Sequence, residues 1–359
     1  MLGSIIYPVK PVSLQGRYYT RKNNANHLLS PKEINDIYLQ SIQTSWDSYP
    51  YPDASVSDLS EEKIHSFIER VNNSGRFRLT GTASECLQKL RLVKNDVPTN
   101  AVMLLFSKEE LFYNVHIGRF KTQSLIIDDK MVRGTLFEAV ENVMTFIISH
   151  LKVAFEITGK TSQRTEIFEY PLPAIRELVL NAIIHRDYQS PTDIQIRIFD
   201  QEITIFNPGK LYGGLTIEDL KTDNYQAQSR NKLITEAFYL TKDIEKYGSG
   251  YRRIREYISD YPTMYFDFEE NSGGYLVKIG YHQQRTKDVG KDVGKDVGKD
   301  VGKDILTIIK SRTTITIPQI AEILQVTQRT VERHISRLKK ENKILRIGGR
   351  KEGYWHVIE

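Results

Sequence analysis

Residues 287–302 consist of the unit Lys-Asp-Val-Gly repeated four times, and Lys303-Asp304 begin a fifth copy. The charges of each unit cancel, and its one small apolar side chain cannot build a buried core. A glycine at every fourth position also argues against a stable helix. We interpret residues 284–304 as a flexible linker, so the chain before it and the chain after it are expected to fold as separate domains. An interaction tract and a recombination scar are alternatives that the repeat leaves open.

The residues after this linker carry the basic excess of the chain. Residues 305–359 hold eleven Lys/Arg and five Asp/Glu, whereas the whole chain of 359 residues has a net charge of only +5. A basic excess confined to one end predicts a polyanion as the partner of that end.

The composition, with 40% hydrophobic and 26% charged residues, is that of an ordinary soluble protein. The single cysteine, Cys86, excludes an intramolecular disulfide and a zinc site built on thiolates. A single cysteine is also typical of a protein that works in the reducing cytoplasm. The sequence contains no run of eighteen apolar residues, and its first residues are too interrupted for a signal peptide. We therefore expect a cytoplasmic protein with no membrane partner.

A second informative stretch is Pro171–Tyr188, PLPAIRELVLNAIIHRDY. Its apolar residues recur at helical spacing and predict one buried helix face, formed by Ile175, Leu178, Val179, Ala182 and Ile183. Glu177 and Asn181 lie four residues apart, so they are neighbours on another face of the same helix. Burying both polar side chains costs free energy unless each has a partner. We therefore expect a polar partner or ligand against that face.

A Glu and an Asn in this arrangement suit magnesium–nucleotide chemistry. An amide oxygen is a neutral hard ligand for Mg²⁺, which keeps several waters while it bridges phosphates. A carboxylate can orient or deprotonate an attacking water as a general base. For these two residues alone, a polar patch at a helix terminus or a hydrogen bond between helices is the commoner explanation, because ExxxN occurs often by chance.

Glycine turns come after this helix in the chain. Asp193–Phe206 alternates apolar and polar residues and predicts two short strands. The second strand runs into Asn207-Pro208-Gly209, and Gly248-Ser249-Gly250 precedes a predicted helix start at Tyr251. Glycines at a helix start let the backbone approach phosphate oxygens, and the helix dipole favours the anion.

The chain thus has a helix with ExxxN, then a strand that ends in a glycine turn, then a GxG at a helix start. This order of motifs resembles that of the GHKL ATPases, which share the Bergerat fold. The fuller set ELVLNAIIHRDY, IFNPGKLYGG, SRNKLI and EKYGSGYRRI resembles the divergent ATP-binding group described as RecG-like helicase C-terminal or transcriptional regulator. The resemblance implies an α+β fold with a Bergerat-type (histidine-kinase-like ATPase) α/β sandwich at residues 131–283. It also implies ATP and Mg²⁺ as ligands.

The resemblance assigns roles to individual residues. Glu177 would be the catalytic base for hydrolysis, and Asn181 would be the Mg²⁺ ligand. The nucleotide-binding candidates are Asn181, His185, Asn207, Gly209, Asn231, Gly248 and Gly250. Tyr212–Asn231 would be the ATP lid. For His185 and its neighbours, a helix cap with an ion pair is an alternative at least as strong.

Two positions depart from the pattern of that family. Its adenine motif normally begins with Asp, whereas this chain has Asn207, and Leu211 replaces the second glycine of the motif. An amide oxygen still accepts a hydrogen bond from the adenine amino group, but without charge assistance. The chain also lacks a GxxxxGK[ST] phosphate loop, so we expect no helicase activity.

Residues 1–40 contain a predicted strand at residues 5–12 and a helix start at Ser30-Pro31, where Glu33 completes a capping box. The run GRYYTRKNNANHLLSPKEI resembles the end of a Schlafen AlbA-type domain. Because only that end is present in the sequence, the resemblance implies no nuclease activity. We expect residues 1–40 to pack as an edge piece on the domain that comes after them.

Residues 41–130 are interpreted as an intermediate α+β region. Capped helices are predicted at residues 58–70 and 84–93, a short buried strand at Ala101–Phe106, and one or two strands within Tyr113–Ile127. Gly134–Leu151 then predicts a strongly apolar helix before the Glu177/Asn181 element.

Residues 305–359 predict three helices and a hairpin with the basic tip Gly348–Lys351. This pattern resembles a winged helix-turn-helix, in which a recognition helix enters the major groove and a basic wing contacts phosphate or the minor groove. His334 is expected to face outward with the predicted DNA-binding residues, which are Gln328, Arg329, Arg333, Arg337, Arg350 and Lys351. A small winged helix that binds protein is the alternative.

These features together predict an ATP-binding, DNA-binding transcriptional regulator with double-stranded DNA and ATP as partners and a homodimer as its assembly. In the enzyme version, Glu177 supports slow ATP hydrolysis. The alternatives are a non-catalytic winged-helix regulator with a vestigial or ligand-sensing pocket, and a DNA-processing or defence ATPase.

Overall fold

A computed structural model describes residues 11–358 apart from 12, 23, 43, 157–164, 224, 262, 272, 284–304, 325–327, 341–342 and 348–353. For residues 22, 155, 156, 165, 166, 329, 330, 333, 337 and 340 it describes the backbone alone. The predicted linker, the wing tip with Arg350 and Lys351, and nearly all of the strand predicted at residues 5–12 therefore lie outside the described residues.

The chain divides into two compact units. The first comprises Met1–Lys152 and Phe168–Gln283, and the second comprises Val153–Ile167 and Gln284–Glu359. The helices, numbered along the chain, are α1 (Pro31–Ser41), α2 (Glu61–Ser74), α3 (Ala83–Lys89), α4 (Asn100–Phe106), α5 (Leu136–His150), α6 (Leu172–His185), α7 (Ile217–Thr222), α8 (Lys232–Leu240), α9 (Gly250–Ser259), α10 (305–311), α11 (Ile317–Ile323) and α12 (Gln328–Lys340).

The strands are numbered in the same way. They are β1 (Ser13–Leu14), β2 (Arg17–Lys22), β3 (Ala25–Leu28), β4 (Val93–Lys94), β5 (Val97–Pro98), β6 (Val115–Thr122), β7 (Leu125–Val132), β8 (Val153–Glu156), β9 (Thr165–Phe168), β10 (Ile194–Ile198), β11 (Glu202–Pro208), β12 (Met264–Glu270), β13 (Gly274–Tyr281), β14 (Ile344–Ile347) and β15 (Tyr354–Val357).

The first unit is built on a six-stranded sheet in the order β12-β13-β11-β10-β6-β7. Neighbouring strands are antiparallel except for β10 and β6, which are parallel. Strands β6 and β7, which the sequence pattern placed in the intermediate region, belong to this sheet. The predicted domain boundaries stay predictions, but the sheet joins residues from both sides of the boundary at 130.

Helices α5, α6 and α9 pack against this sheet, and α6 contacts both α5 and α9. The alternation along β10 buries Ile194, Ile196 and Ile198, and the predicted apolar face of α6 is buried as well. These side chains form one continuous core between the helices and the sheet. The mixed α and β architecture confirms the predicted fold class.

The strand predicted at Ala101–Phe106 is wrong, because these residues belong to helix α4. The Thr99 side chain caps this helix by accepting a hydrogen bond from the Val102 N–H, at 3.3 Å. Every residue of α4 is buried. An apolar run that is buried on all sides has no periodicity, so its pattern does not distinguish a helix from a buried strand.

The capping box predicted at the start of α1 is confirmed. The Ser30 backbone N–H donates to Glu33 Oε2 at 2.8 Å, and the Glu33 backbone N–H donates to the Ser30 hydroxyl oxygen at 3.3 Å. The helices predicted at residues 58–70 and 84–93 are present with other bounds, as α2 and α3, and each has a hydroxyl cap from Ser60 or Thr82. Helix α3 ends at Lys89, and Val93 belongs to strand β4.

In the second unit, α10, α11, α12 and the β14–β15 hairpin share a small core that contains Ile309, Val331, Ile335 and Trp355. The Trp355 indole N–H donates to the Ile315 carbonyl at 3.0 Å. In the hairpin Ile344 pairs with Val357 and Ile347 with Tyr354, so the predicted order of three helices and a hairpin is confirmed.

In the part of the chain that the structure describes, none of the helices has the length and apolar character needed to cross a membrane.

Candidate nucleotide-binding site

A cavity of about 460 Å³ opens in the first unit between α6, the end of β11 and residues 209–251. The predicted site residues that line it are Glu177, Asn181, His185, Asn207, Gly209, Gly248 and Gly250. The sequence predicted these residues for one site from separate motifs, and the fold brings them together around one space.

Helix α6 supplies the polar face of the cavity. Its apolar side packs into the core, which leaves Glu177 and Asn181 directed towards the beginning of α9. Glu177 is mostly buried and forms an ion pair with Arg253 of α9, with 2.8 Å between Oε2 and Nη2. The carboxylate therefore has a partner within the chain, as the free-energy cost of its burial requires.

The glycines of the GxG segment permit a close approach of α9 and the lid to α6. A Cβ atom at Gly250 would lie 2.5 Å from Glu177 Oε1, so the Glu177 carboxylate would have to shift. Gly248 has φ +71°, and a Cβ there would lie 3.1 Å from the backbone nitrogen of Ala227. Glycine at position 250 thus lets the Glu177 carboxylate lie against the start of α9, whereas the backbone conformation at position 248 strongly favours glycine.

Asn207, at the end of β11, also lines the cavity. The residue is only 8% exposed, and its Oδ1 atom has no hydrogen-bond partner among the described residues. A buried amide oxygen without a partner costs free energy, so a donor on a ligand would satisfy it.

Gly209 fixes the turn after Asn207. Its φ is +100°, and a Cβ there would lie 2.7 Å from the Cβ atom of Asp187. The backbone N–H of Asp187 donates to the Pro208 carbonyl at 2.9 Å. The end of β11 is thus joined directly to the segment after α6.

His185 occupies the last turn of α6. Its side chain is exposed to the cavity, yet enough protein surrounds the ring that desolvation, followed by the positive charge of Arg230, lowers the pKa of His185 to about 4. The imidazole is therefore neutral at pH 7, so it can exchange hydrogen bonds with a ligand but offers no charge to a phosphate.

The predicted lid, Tyr212–Asn231, contains α7 and covers one side of the cavity. Arg255 of α9 holds it through the Asp223 carboxylate, at 2.7 Å, and the Leu220 carbonyl, at 2.5 Å. At the end of the lid, Arg230 stacks over the Tyr212 ring. The contact between Tyr212 and Arg230 therefore joins the two ends of the lid.

Asn231 does not line this cavity, unlike the other predicted nucleotide-binding residues. It is 1% exposed, and its Nδ2 donates to the carbonyls of Ile184 and Arg186, at 2.9 and 2.8 Å. Its side chain satisfies carbonyl groups at the end of α6, which is a structural task.

Several residues at or beside the cavity were not predicted from the sequence. Lys232, Lys246 and Tyr251 line the cavity, and Arg253 lies behind the lining and contacts it through Glu177. The motifs SRNKLI and EKYGSGYRRI contain all four, so the signal was present. A single sequence does not indicate which of several neighbouring basic residues points inward.

The predicted DNA-binding residues of the second unit lie on or near α12. Gln328 begins this helix and is exposed, and the backbone positions of Arg329, Arg333 and Arg337 come at intervals of four, on one helix face. The expectation that His334 faces outward is wrong, because the residue is only 6% exposed. It lies between Val331 and Leu338, on the side of α12 that packs into the core.

Comparison with known families fits this geometry. Residues 192–279 match the family model described as putative ATP-dependent DNA helicase recG C-terminal. Residues 303–354 match the model described as HTH domain. The chain joins a RecG C-terminal-like ATPase domain to an HTH domain. The first match contains Asn207, Gly209, Gly248 and Gly250, while Glu177 and Asn181 lie before it.

The fold of the chain also resembles a solved structure. The DIP2311 protein from Corynebacterium diphtheriae matches with a TM-score of 0.56 and 17% sequence identity, over 95% of this chain and 70% of that one. Identity at this level is evidence for the fold alone. No curated protein sequence matches the chain. The two domains indicate a DNA-binding regulator with an ATPase-related domain.

Proposed function

We propose that the chain is a transcriptional regulator in which Mg-ATP binds the cavity of the ATPase-like domain and changes DNA binding by the HTH domain. The observation that carries this proposal is the convergence of Glu177, Asn181, Asn207 and the GxG start of α9 on one cavity. These residues come from separate motifs, and each has the chemistry that one part of a nucleotide needs.

The cavity residues fit such a ligand. A volume of about 460 Å³ lies within the range of roughly 300–1,000 Å³ that is usual for small-molecule sites. The unpartnered Asn207 amide would accept a hydrogen bond from a base amino group, and the backbone around Gly248 and Gly250 would bind phosphates. Asn181 would hold Mg²⁺, whose charge neutralises phosphate oxygens, and Glu177 would orient water.

Calorimetry with Mg-ATP tests the binding step. Wild-type protein should bind ATP saturably, and Asn181→Ala should lose most of that binding because it removes the proposed Mg²⁺ ligand. Asn142→Ala, which alters an exposed asparagine on α5, is the matched control and should bind like wild type. Absence of binding by the wild-type protein would reject the nucleotide-binding proposal.

The DNA-binding part is tested separately by electrophoretic mobility shift with random-sequence duplex DNA, with and without Mg-ATP. Arg333→Ala should weaken binding, and the slope of log affinity against log salt should fall by about one, as expected for one lost phosphate contact. Lys310→Ala removes the same charge from an exposed position on α10 and should have little effect. Equal binding with and without nucleotide would reject the regulatory step.

A homodimer is part of the proposal, since paired HTH domains bind DNA half-sites related by symmetry. Sedimentation equilibrium with and without Mg-ATP measures the assembly directly. A monomer under both conditions would remove dimerisation from the proposal.

A non-hydrolysing regulator is the second candidate function. The ion pair between Glu177 and Arg253 favours it, because the Glu177 Oε2 atom that would orient an attacking water already accepts a hydrogen bond from the Arg253 guanidinium. Phosphate release separates the two versions. Turnover that disappears in Glu177→Ala supports the ATPase, and ATP binding without turnover supports the second candidate.

A further inference from the structure

The ion pair between Glu177 and Arg253 joins the two polar elements of the cavity. Its oxygen-to-nitrogen distance is 2.8 Å, and the two side chains are 10% and 22% exposed. Glu177 lies in the middle of α6, whereas Arg253 lies in the first turns of α9. The pair therefore links the proposed base to the helix start that is proposed to hold phosphates.

The guanidinium of Arg253 lies at the N-terminal end of its own helix. Its Nη1 atom donates to the Ser249 hydroxyl at 3.1 Å, and Ser249 stands between the two glycines of the GxG segment. Long side chains on a helix point back towards its N-terminus, which explains this position. The same guanidinium thus contacts both the Glu177 carboxylate and the proposed phosphate-binding turn.

This arrangement has an electrostatic consequence for an anionic ligand. Phosphates bound beside Gly248 and Gly250 would lie near the Glu177 carboxylate, and like charges at short distance repel strongly in a partly buried site. A guanidinium fork binds a phosphate with the same paired geometry as a carboxylate. Phosphate and Glu177 therefore compete for Arg253, and the competition becomes stronger as the charge of the ligand increases.

We propose that Arg253 distinguishes nucleoside triphosphate from diphosphate by exchanging its Glu177 partner for the terminal phosphate. This inference rests on the proposed function, because it needs a nucleotide in the cavity. Arg253 would then determine the specificity of the site for triphosphate. The Glu177 carboxylate would lose its guanidinium partner only when a triphosphate is bound.

The other arginines of α9 provide an internal comparison. Arg252 is 65% exposed and pairs only weakly with Glu256, at 3.8 Å, one turn along the same helix. Arg255 pairs with Asp223 of the lid, at 2.7 Å. Arg253 is thus the arginine of α9 that contacts a predicted site residue.

The test measures Mg-ATP and Mg-ADP affinities by calorimetry for the full chain and three variants. Arg253→Ala should weaken ATP binding roughly tenfold to a hundredfold, the range expected for one charge-assisted contact, and should change ADP binding much less. Glu177→Gln removes the competing carboxylate charge, so it should strengthen ATP binding several-fold. Arg252→Ala is the matched control and should keep the wild-type ratio of ATP to ADP affinity.

The ratio of the two affinities is the deciding quantity. If Arg253→Ala weakens ATP and ADP equally, Arg253 has only a structural role and the inference is overturned. Should Arg253→Ala fail to fold, Glu177→Gln still decides, because an unchanged affinity ratio in that variant overturns the inference as well. A wild-type protein that binds neither nucleotide rejects the proposed function itself, and the inference with it. If the wild-type protein binds both nucleotides and Arg253→Ala has the same ratio of ATP to ADP affinity, the inference alone is rejected.

Discussion

The Asp36 carboxylate of α1 lies 3.2 Å from the guanidinium of Arg230 at the base of the lid. Arg230 also donates to the Lys210 carbonyl, at 3.0 Å, and stacks over Tyr212. Lys32, one turn before Asp36, pairs with Asp187 after α6. Helix α1 is therefore fastened to the base of the lid and to the segment after α6, although the sequence predicted only an edge piece.

Replacing Asp36 by Ala should loosen the lid, because Arg230 loses the nearer of its two carboxylate partners, Asp36 at 3.2 Å and Asp187 at 4.0 Å. Hydrogen exchange of residues 212–231 should become faster, and bound nucleotide should dissociate faster. Exchange measured by mass spectrometry tests the first effect. Asn35→Ala, at the exposed neighbouring position on α1, should leave lid exchange unchanged. Equal protection in wild type and Asp36→Ala would contradict a role of α1 in holding the lid.

Replacing Gly250 by Ala should weaken nucleotide binding while the fold is kept. The added Cβ would lie 2.5 Å from Glu177 Oε1 and 3.4 Å from Asn181 Nδ2, so the Glu177 carboxylate must shift from its place beside the start of α9. Calorimetry with Mg-ATP measures the loss. Gly273→Ala is the control, since a Cβ there meets its nearest atom at an ordinary 3.6 Å. Wild-type affinity in Gly250→Ala would show that this close approach is not needed for binding.

Much of the site could be predicted from the sequence because its parts are local motifs. Helix α6 is indicated by its apolar periodicity, and the turns at Gly209 and Gly248 are indicated by glycine. The contacts between these motifs could not be predicted in the same way. Arg253 lies 76 residues from Glu177, and its sequence position does not show whether it or Arg252 points inward.

The wrong predictions at Ala101–Phe106 and His334 also have physical causes. Every residue of α4 is buried, which removes the periodic signal that would identify a helix. The pattern groups His334 with the residues expected to face outward, yet its place between Val331 and Leu338 directs it inward.

The low pKa of His185 predicts how stability depends on pH. Desolvation by the protein around the cavity, with the charge of Arg230, lowers this pKa to about 4, from an ordinary 6.5. The folded state therefore takes up the proton less readily than the unfolded state, so stability is fully present above pH 6.5 and decreases as the pH falls towards 4. Nuclear magnetic resonance of the imidazole should show a neutral ring at pH 5.5. A ring that titrates near pH 6.5 would contradict this prediction.

Asp47 lies far from α8 in the sequence, but its side chain caps the N-terminus of this helix. Its Oδ2 atom accepts hydrogen bonds from the Leu233 and Ile234 N–H groups, at 2.8 and 2.9 Å. Asn231, the residue before α8, makes no side-chain cap of its own. Asp47 therefore supplies the cap of a helix whose first turn contributes Lys232 and Thr235 to the cavity.

Asp47→Ala leaves these buried N–H groups without an acceptor, which should lower the free energy of unfolding by about 1–3 kcal/mol. Asp47→Asn should cost less than Ala, because an amide oxygen still accepts a hydrogen bond and, unlike the carboxylate whose pKa burial raises, carries no charge to desolvate. Urea unfolding followed by circular dichroism measures both variants. Glu69→Ala, at an exposed position on α2, should remain within about 0.5 kcal/mol of wild type. If the free energy of unfolding of Asp47→Ala were equally close to that of wild type, the cap would contribute nothing to stability. The position of α8 beside the cavity would then depend on its apolar contacts alone.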